Sequence, residues 1–390
     1  MTTTEISGVQ TMIWANTVDA HAQEEIRNLA SLPFIFHHMA FMPDVHGGKG
    51  MPIGGVVATL GVVIPNAVGV DIGCGMCAVK TSLAADDIPS DVLRKQILRG
   101  IRKAIPIGMD RHGSPQDEAF MPQGFDVDTL TVVSRQYKAA LRQVGTLGGG
   151  NHFIELQKDT EGHLWIMIHS GSRNLGKQVG DYYNEKAANL NKWFHSKVEL
   201  DINLPFLPIQ CPEHRQYWNE MNYCIEFALC NRKLMMERIC SVIGEVYPEA
   251  TFEPMINIAH NYAAWETHFG KNVIVHRKGA TRARLGEVGI IPGSQGTKSY
   301  IVEGLGNPLS FQSCSHGAGR SLSRSEAVKT LDLEAEKRRL EDMGIVHAIR
   351  TVSDLQEAAG AYKDISEVMA SQSDLVRPLV ELSPVAVIKG

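Results

Sequence analysis

PIGGVVATLGVVIPNAVGV, residues 52–70, runs for 19 positions without a charged side chain, and Asp71 follows at once. That length reaches the nominal requirement of a membrane span, so the reading of this stretch decides what kind of fold the chain has. Gly54, Gly55, Gly61, Pro65 and Asn66 interrupt it, and its valines fall in short groups. Gly and Pro punctuate turns, whereas clustered β-branched residues favour strands. The stretch therefore reads as short buried strands joined by turns, and no membrane span is expected.

Upstream, residues 14–32 place Val18, Ala22, Ile26 and Leu29 at helical spacing, before the strand-like PFIFHHMAFM at 33–42. Downstream, strands and turns continue to about residue 82, and Pro89 and Val92 open a helix-like run. Residues 105–126, broken by Pro and Gly, form a connector that is either a lid or a surface loop, and 127–144 look helical again. NHFIELQ after the glycines of 145–150 and WIMIHSGSR read as two strands whose ends present His152 and His169. Residues 182–197 and 217–246 hold almost no Gly or Pro and read as long helices of an insertion around 175–250. Strand-rich sequence returns near Val273, and VAVIK closes the chain before Gly390. The expected architecture is one α/β catalytic domain over 1–390, with central strands, a loop-built site and a helical insertion.

With 44% hydrophobic and 21% charged residues, the chain has the balance of an ordinary soluble globular protein. The formal charge of -5 argues against a surface that holds nucleic acid throughout. The segment KNVIVHRKGATRAR at 271–284 carries Lys271, Arg277, Lys278, Arg282 and Arg284 with no acid, which is either a local basic groove or a solvated positive face. The seven cysteines, an odd number in a chain large enough to fold without disulfides, point to a reducing compartment. No secretory leader precedes the body of the chain, so the cytoplasm is expected.

In GVDIGCGMC, residues 69–77, Asp71 offers a hard carboxylate and Cys74 a soft thiolate among glycines. Together with histidine that set suits borderline divalent metals, because calcium or magnesium would call for oxygen donors alone. The alternative is a buried cysteine beside a capping aspartate. His46, His152, His169, His260 and His316 each sit beside Gly, Ser or Asn, where small residues leave room and backbone N–H groups for an anion. Asn151 and Glu155 flank His152, either to bind a ligand, to orient the ring or to close a turn. Asp44 either holds a histidine ring or stabilises its own turn.

PGSQGT at 292–297 and HGAGR at 316–320 suit phosphate through glycine N–H groups and the donors Ser294, Ser299 and Arg320. Neither is a Walker loop or a dinucleotide fingerprint. His316 is chemically able to attack phosphorus through a neutral ring nitrogen, and it is equally able to serve as a base, a ligand or a structural residue beside Cys314.

Taken in order, PDVHGGKG, GVDIGCGM, LGGGNHFIE, HSGSRNLG, HNYA, HRKGAT, PGSQGTKS, SCSHGAGR and the terminal VIKG resemble the RtcB RNA-splicing ligases, over about residues 13–390. The resemblance implies an α/β fold peculiar to that family, two Mn²⁺ ions and GTP as co-substrate. It implies joining of an RNA 2′,3′-cyclic phosphate or 3′-phosphate to a 5′-hydroxyl through a histidine–GMP intermediate, in tRNA splicing or RNA repair, by a chain acting as a monomer. Two narrower readings stay open: a ligase specialised for cleaved ribosomal RNA, and an RNA-binding paralogue that no longer ligates.

By motif, the resemblance makes Asp71, Cys74, His152, His169 and His260 the metal ligands, with Cys74 between the two ions, and His316 the guanylylated residue. Asn151, Phe153, Glu155, Ser294, Ser299, Ala318, Gly319, Tyr362 and Lys389 become nucleotide contacts, Tyr362 stacking on guanine and Lys389 reading its edge. Arg173, Lys278 and Arg320 become phosphate or RNA contacts. One departure is NIA before HNYA, where some relatives have a second histidine next to His260.

Overall fold

The computed structural model describes every residue from Met1 to Gly390. Two large sheets dominate it. The first has the strand order Thr2–Ile6, Val9–Ile13, Ile35–Lys49, Met51–Thr59, Lys271–Lys278, Asn261–His268. The second has the order Ile256–Ala259, Gly75–Ala84, His163–Ser170, Phe153–Asp159, Val376–Lys389, Ser299–Gly304, Val288–Ile291, with every neighbouring pair antiparallel and Ile256–Ala259 and Val288–Ile291 at its two edges.

The uncharged stretch behaves as its punctuation predicts. It forms the strand Met51–Thr59, the short strand Val62–Val63 and one helical turn, Pro65–Val68, with Pro at the start where its missing N–H costs nothing. No helix is long and apolar enough to cross a membrane. The helix expected over 14–32 is Ala20–Ala30, started by the Asp19 carboxylate, which accepts from Ala22 N. The strand expected over 33–42 continues to Lys49, and the helix expected over 127–144 is regular only over Thr131–Ala140.

The long helices Arg173–Trp193 and Pro212–Val246 bury Leu175, Val179, Tyr183, Tyr217, Met221 and Phe227 against Val63, Val68, Ile72 and Ile274. The first begins earlier than its Gly-poor part, because Gly176 and Gly180 sit inside it facing Ile72 and Val70. The second sends two fully buried polar side chains under the ends of the second sheet. Asn231 accepts from Gly145 N and Thr146 N at 2.8 and 3.1 Å and donates to Gly171 O. Arg232 donates to Gly73 O and Ser170 O at 3.0 and 2.8 Å.

The basic segment at 271–284 does not form a groove. Arg277 is fully buried and paired with Glu266, Arg282 is paired with Glu287, and the Lys278 ammonium is tucked onto Lys49 O and Asn66 O. The strand Lys271–Lys278 is covered on both faces from Val273 onward, where a charge persists only with a partner.

Candidate active site

Antiparallel pairing gathers the metal-capable residues at one end of the second sheet. Gly75 pairs with Ser170 and with Ala259, and Phe153 pairs with His169. Cys74, His152, His169 and His260 therefore lie side by side although they are far apart in sequence, and His260 N donates to Cys74 O at 2.8 Å. A Cβ on Gly75 would meet Ile258 O at 1.9 Å, so only glycine permits this approach. The chain passes from the second sheet to the first at His260, since Ile256–Ala259 belongs to one and Asn261–His268 to the other.

Two sets of donor atoms result, Asp71 with Cys74 and His152, and Cys74 with His169 and His260, each within 4.8 Å and both using Cys74. Cys74 Sγ lies 3.3 Å from His169 Nε2 and 3.5 Å from His152 Nε2. His152 Nε2 is 3.1 Å from Asp71 Oδ2, and His169 Nε2 is 3.4 Å from His260 Nε2. His152 Nδ1 and His169 Nδ1 each face a backbone carbonyl at 3.1 Å, of Leu147 and Asn151, and donate to it. With Nδ1 so engaged, both rings turn Nε2 toward Cys74 Sγ, the side from which they would ligate a cation held between them.

The electrostatics fit a cation as well. Burial opposes the charge of Asp71, yet hydrogen bonding and charge from His152 hold its carboxyl below the usual range. Burial pushes His169 and His260 well down, so both rings are neutral and able to ligate. Burial and the Asp71 charge push the Cys74 thiol well up, so only a bound cation would make it a thiolate. Asp71 Oδ1 and His260 Nδ1 are buried without a hydrogen-bond partner.

His316 stands against this centre, its ring 4.8 Å from that of His260. The short strands Ala280–Arg282 and Ser313–Ser315 pair and deliver it. Its partner is Asp44 in the strand Ile35–Lys49: Asp44 Oδ2 accepts from His316 Nδ1 at 2.6 Å and from His316 N at 3.1 Å. Asp44 is completely buried, so it acts on the ring and not merely on its own turn. With Nδ1–H committed to Asp44, Nε2 carries the lone pair. Gly319, at φ 73°, closes on Asp44, where a Cβ would meet Asp44 O at 2.4 Å.

A cavity of about 810 Å³ opens beside His316. Asn151, Phe153, Glu155, His169, Ser294, His316, Ala318, Gly319, Arg320, Tyr362 and Lys389 line it. Lys389 reaches it because it pairs with Phe153, over whose ring its ammonium lies at 5.4 Å. Burial pushes Glu155 up to about 7, against the opposing pull of Lys389 and Gln157. The Arg320 guanidinium lies 5.1 Å from the centre of the Tyr362 ring.

Ser299, Arg173 and Lys278 do not line this cavity. Ser299 is buried behind it, accepting from Gln157 and Gly293 N. Arg173 bridges Thr146 and Gly108 O, with Asp71 as its nearest negative charge. Two cavity residues, Glu357 and Arg324, carry no sequence signal: QEAAGAY is a plain small-residue segment, and Arg324 sits in a serine-rich one.

A family model described as tRNA-splicing ligase RtcB matches residues 25–390. The chain belongs to the RtcB family. Among its RtcB relatives, the RNA-splicing ligase RtcB of Escherichia coli K12 is 38% identical over 100% of this chain and 98% of its own length. RNA-splicing ligase RtcB1 of a second Escherichia coli strain is 39% identical over the same shares. The tRNA-splicing ligase RtcB of Methanococcus maripaludis is 31% identical over 94% of this chain and 91% of its own. The RtcB match takes in both donor sets, His316 and the cavity residues from Val45 onward.

Proposed function

We propose that the chain is a GTP-dependent RNA ligase that joins a 2′,3′-cyclic phosphate or 3′-phosphate end to a 5′-hydroxyl end, working as a single-domain monomer in the cytoplasm. The observation that carries this reading is the placement of His316, with Nδ1 held by buried Asp44 and its ring packed beside His260. Such a ring is a pre-oriented nucleophile, with Nε2 left free to face the reacting phosphorus. In the proposed sequence water opens the cyclic phosphate to a 3′-phosphate. His316 Nε2 attacks the α-phosphorus of GTP, forming a P–N bond and releasing pyrophosphate. The RNA 3′-phosphate displaces His316 and takes the GMP, and the 5′-hydroxyl then attacks that 3′-phosphorus and releases GMP.

Asp71, Cys74 and His152 would hold one Mn²⁺, and Cys74, His169 and His260 a second. Bound there, the ions offset the charge that develops on phosphate oxygens. Tyr362, Lys389, Phe153 and Glu155 form the base wall, and Asn151, Ser294, Ala318 and Gly319 line the nucleotide's path to His316. Ser299 supports this wall from behind through Gln157, and Arg320 on the cavity wall is the phosphate contact, with Arg173 and Lys278, which lie outside the cavity, as the remaining phosphate or RNA contacts of the proposal. The test is GTP labelled in its α-phosphate with Mn²⁺ present. Wild-type protein acquires label that acid removes, as a phosphoramidate does, and His316→Ala acquires none. Equal labelling of purified His316→Ala excludes the assigned nucleophile.

A further inference from the structure

One carboxylate on the cavity wall gathers more partners than any other there, and no step above uses it. Glu357 is buried, and its two oxygens serve four side chains. Oε2 accepts from the Tyr362 hydroxyl in a very short hydrogen bond, and it faces Arg320 Nη1 at 3.4 Å and Lys389 Nζ at 3.9 Å. Oε1 accepts from Arg324 Nε at 3.0 Å. These partners come from separate parts of the chain: Arg320 from the loop after His316, Arg324 from the helix Arg324–Thr330, and Lys389 from the last strand.

We infer that Glu357 is the positioning residue of the guanine wall, fixing Tyr362 and Lys389 in the poses that take up GTP. The inference rests on the reading of this cavity as the GTP site. A tyrosine ring on a loop is free to swing about its side-chain torsions, and stacking is worth having only if the ring is already in place. Glu357 removes that freedom by holding the hydroxyl. The Arg320 guanidinium over one face of the ring leaves the other for a base. Lys389 is otherwise a buried ammonium between Glu357 and Glu155, and the Glu357 charge offsets its desolvation and sets where its N–H groups point. An ammonium so placed meets the O6 and N7 acceptors of guanine and opposes the amino group of adenine. Burial alone would raise the Glu357 carboxyl, but Lys389, Tyr362, Arg320 and Arg324 hold it below its ordinary value, so it is charged at neutral pH.

The experiment measures single-turnover labelling of His316 by GTP and by ATP in wild type, Glu357→Gln, Tyr362→Phe and the double variant. Glu357→Gln, with an amide where Arg and Lys donors converge, raises the apparent KM for GTP about tenfold or more while kcat stays within about threefold, and the preference for GTP over ATP falls. Tyr362→Phe raises KM less, and the double variant loses less than the sum of the two single variants, since both act on the contact between the hydroxyl and the carboxylate. Unchanged KM and base preference in Glu357→Gln, a loss confined to kcat, or fully additive effects overturn the inference. Should Glu357→Gln fail to fold, Glu357→Asp, one methylene too short for Tyr362, gives the same pattern at smaller size. Wild-type protein that takes no label from GTP refutes the cavity reading and this inference together, whereas a labelled wild type with unaffected variants refutes the inference alone.

Discussion

Cys74 and Cys77 stand three residues apart and have different surroundings. Cys74 Sγ sits among the histidine Nε2 atoms, while Cys77 packs with Ile154, Ile168 and Ile239 and its thiol points at Arg232 O. Cys74→Ala should therefore cost the protein tenfold or more in Mn²⁺ affinity, whereas Cys77→Ala should keep the metal and lose on the order of 1 kcal/mol of stability. Elemental analysis of the purified variants, with thermal melts, separates the two, and equal metal content would remove Cys74 from the ligand set. Glu155 gives a pH signature. Its folded value of about 7 lies above the ordinary 4.5, so the folded state holds the proton more tightly than the unfolded chain. The stability this contributes is present below pH 4.5 and is lost as pH rises through about 7, by an amount on the order of 3 kcal/mol. Melts from pH 4.5 to 8 should show Glu155→Gln losing less stability with rising pH than wild type; parallel curves would mean that Glu155 is not the titrating group. At this scale the types of the donors were legible in Asp71, Cys74 and the scattered histidines. That Asp44 holds a histidine ring was one of two open readings, and Glu357 was invisible because nothing local marks a carboxylate whose cationic partners, Arg320, Arg324 and Lys389, come from two distant segments.

Elements were legible where a single face or run dictated them. The long helix Pro212–Val246 and the strands around His152 and His169 follow from periodicity and from the absence or presence of Gly and Pro. Their ends were less so. The strand after Pro33 runs on to Lys49 because Asp44 and His46 hold no turn there: His46 Nδ1 donates to Asp44 O at 2.8 Å while both stay on the cavity side of the first sheet. The basic run at 271–284 misled for a reason that belongs to strands. Lys271–Lys278 lies between Met51–Thr59 and Asn261–His268 and is covered on both faces from Val273 onward, so only Lys271 and Asn272 at its start are exposed, while Glu266 and two carbonyls receive Arg277 and Lys278 at its buried end. Composition cannot tell a solvated cation from a buried, paired one. The helix Pro212–Val246 likewise hides its second task, because Asn231 and Arg232 read as ordinary polar positions until the ends of the strands they cap are in place.

Across the whole molecule, the order of the nine short motifs was readable, but their convergence was not. Antiparallel registers bring Cys74, His169, His152 and Lys389 to one sheet end, the crossing at His260 joins that end to the first sheet, and Asp44 reaches over from there to His316. Strand order among elements so far apart in sequence depends on packing that no single segment encodes. The arrangement makes one separable claim: His316 is needed to load GMP, and the donor centre is needed both to load it and to seal. The most direct measurement is joining of a 5′-hydroxyl RNA by wild type and His316→Ala, each matched for fold and metal content, using either a 3′-phosphate strand with GTP or a strand already carrying GMP on its 3′-phosphate. The account predicts that His316→Ala fails on the first substrate and still seals the second with Mn²⁺ and without GTP. Joining of the unactivated 3′-phosphate by His316→Ala, or by wild type without GTP, would contradict it.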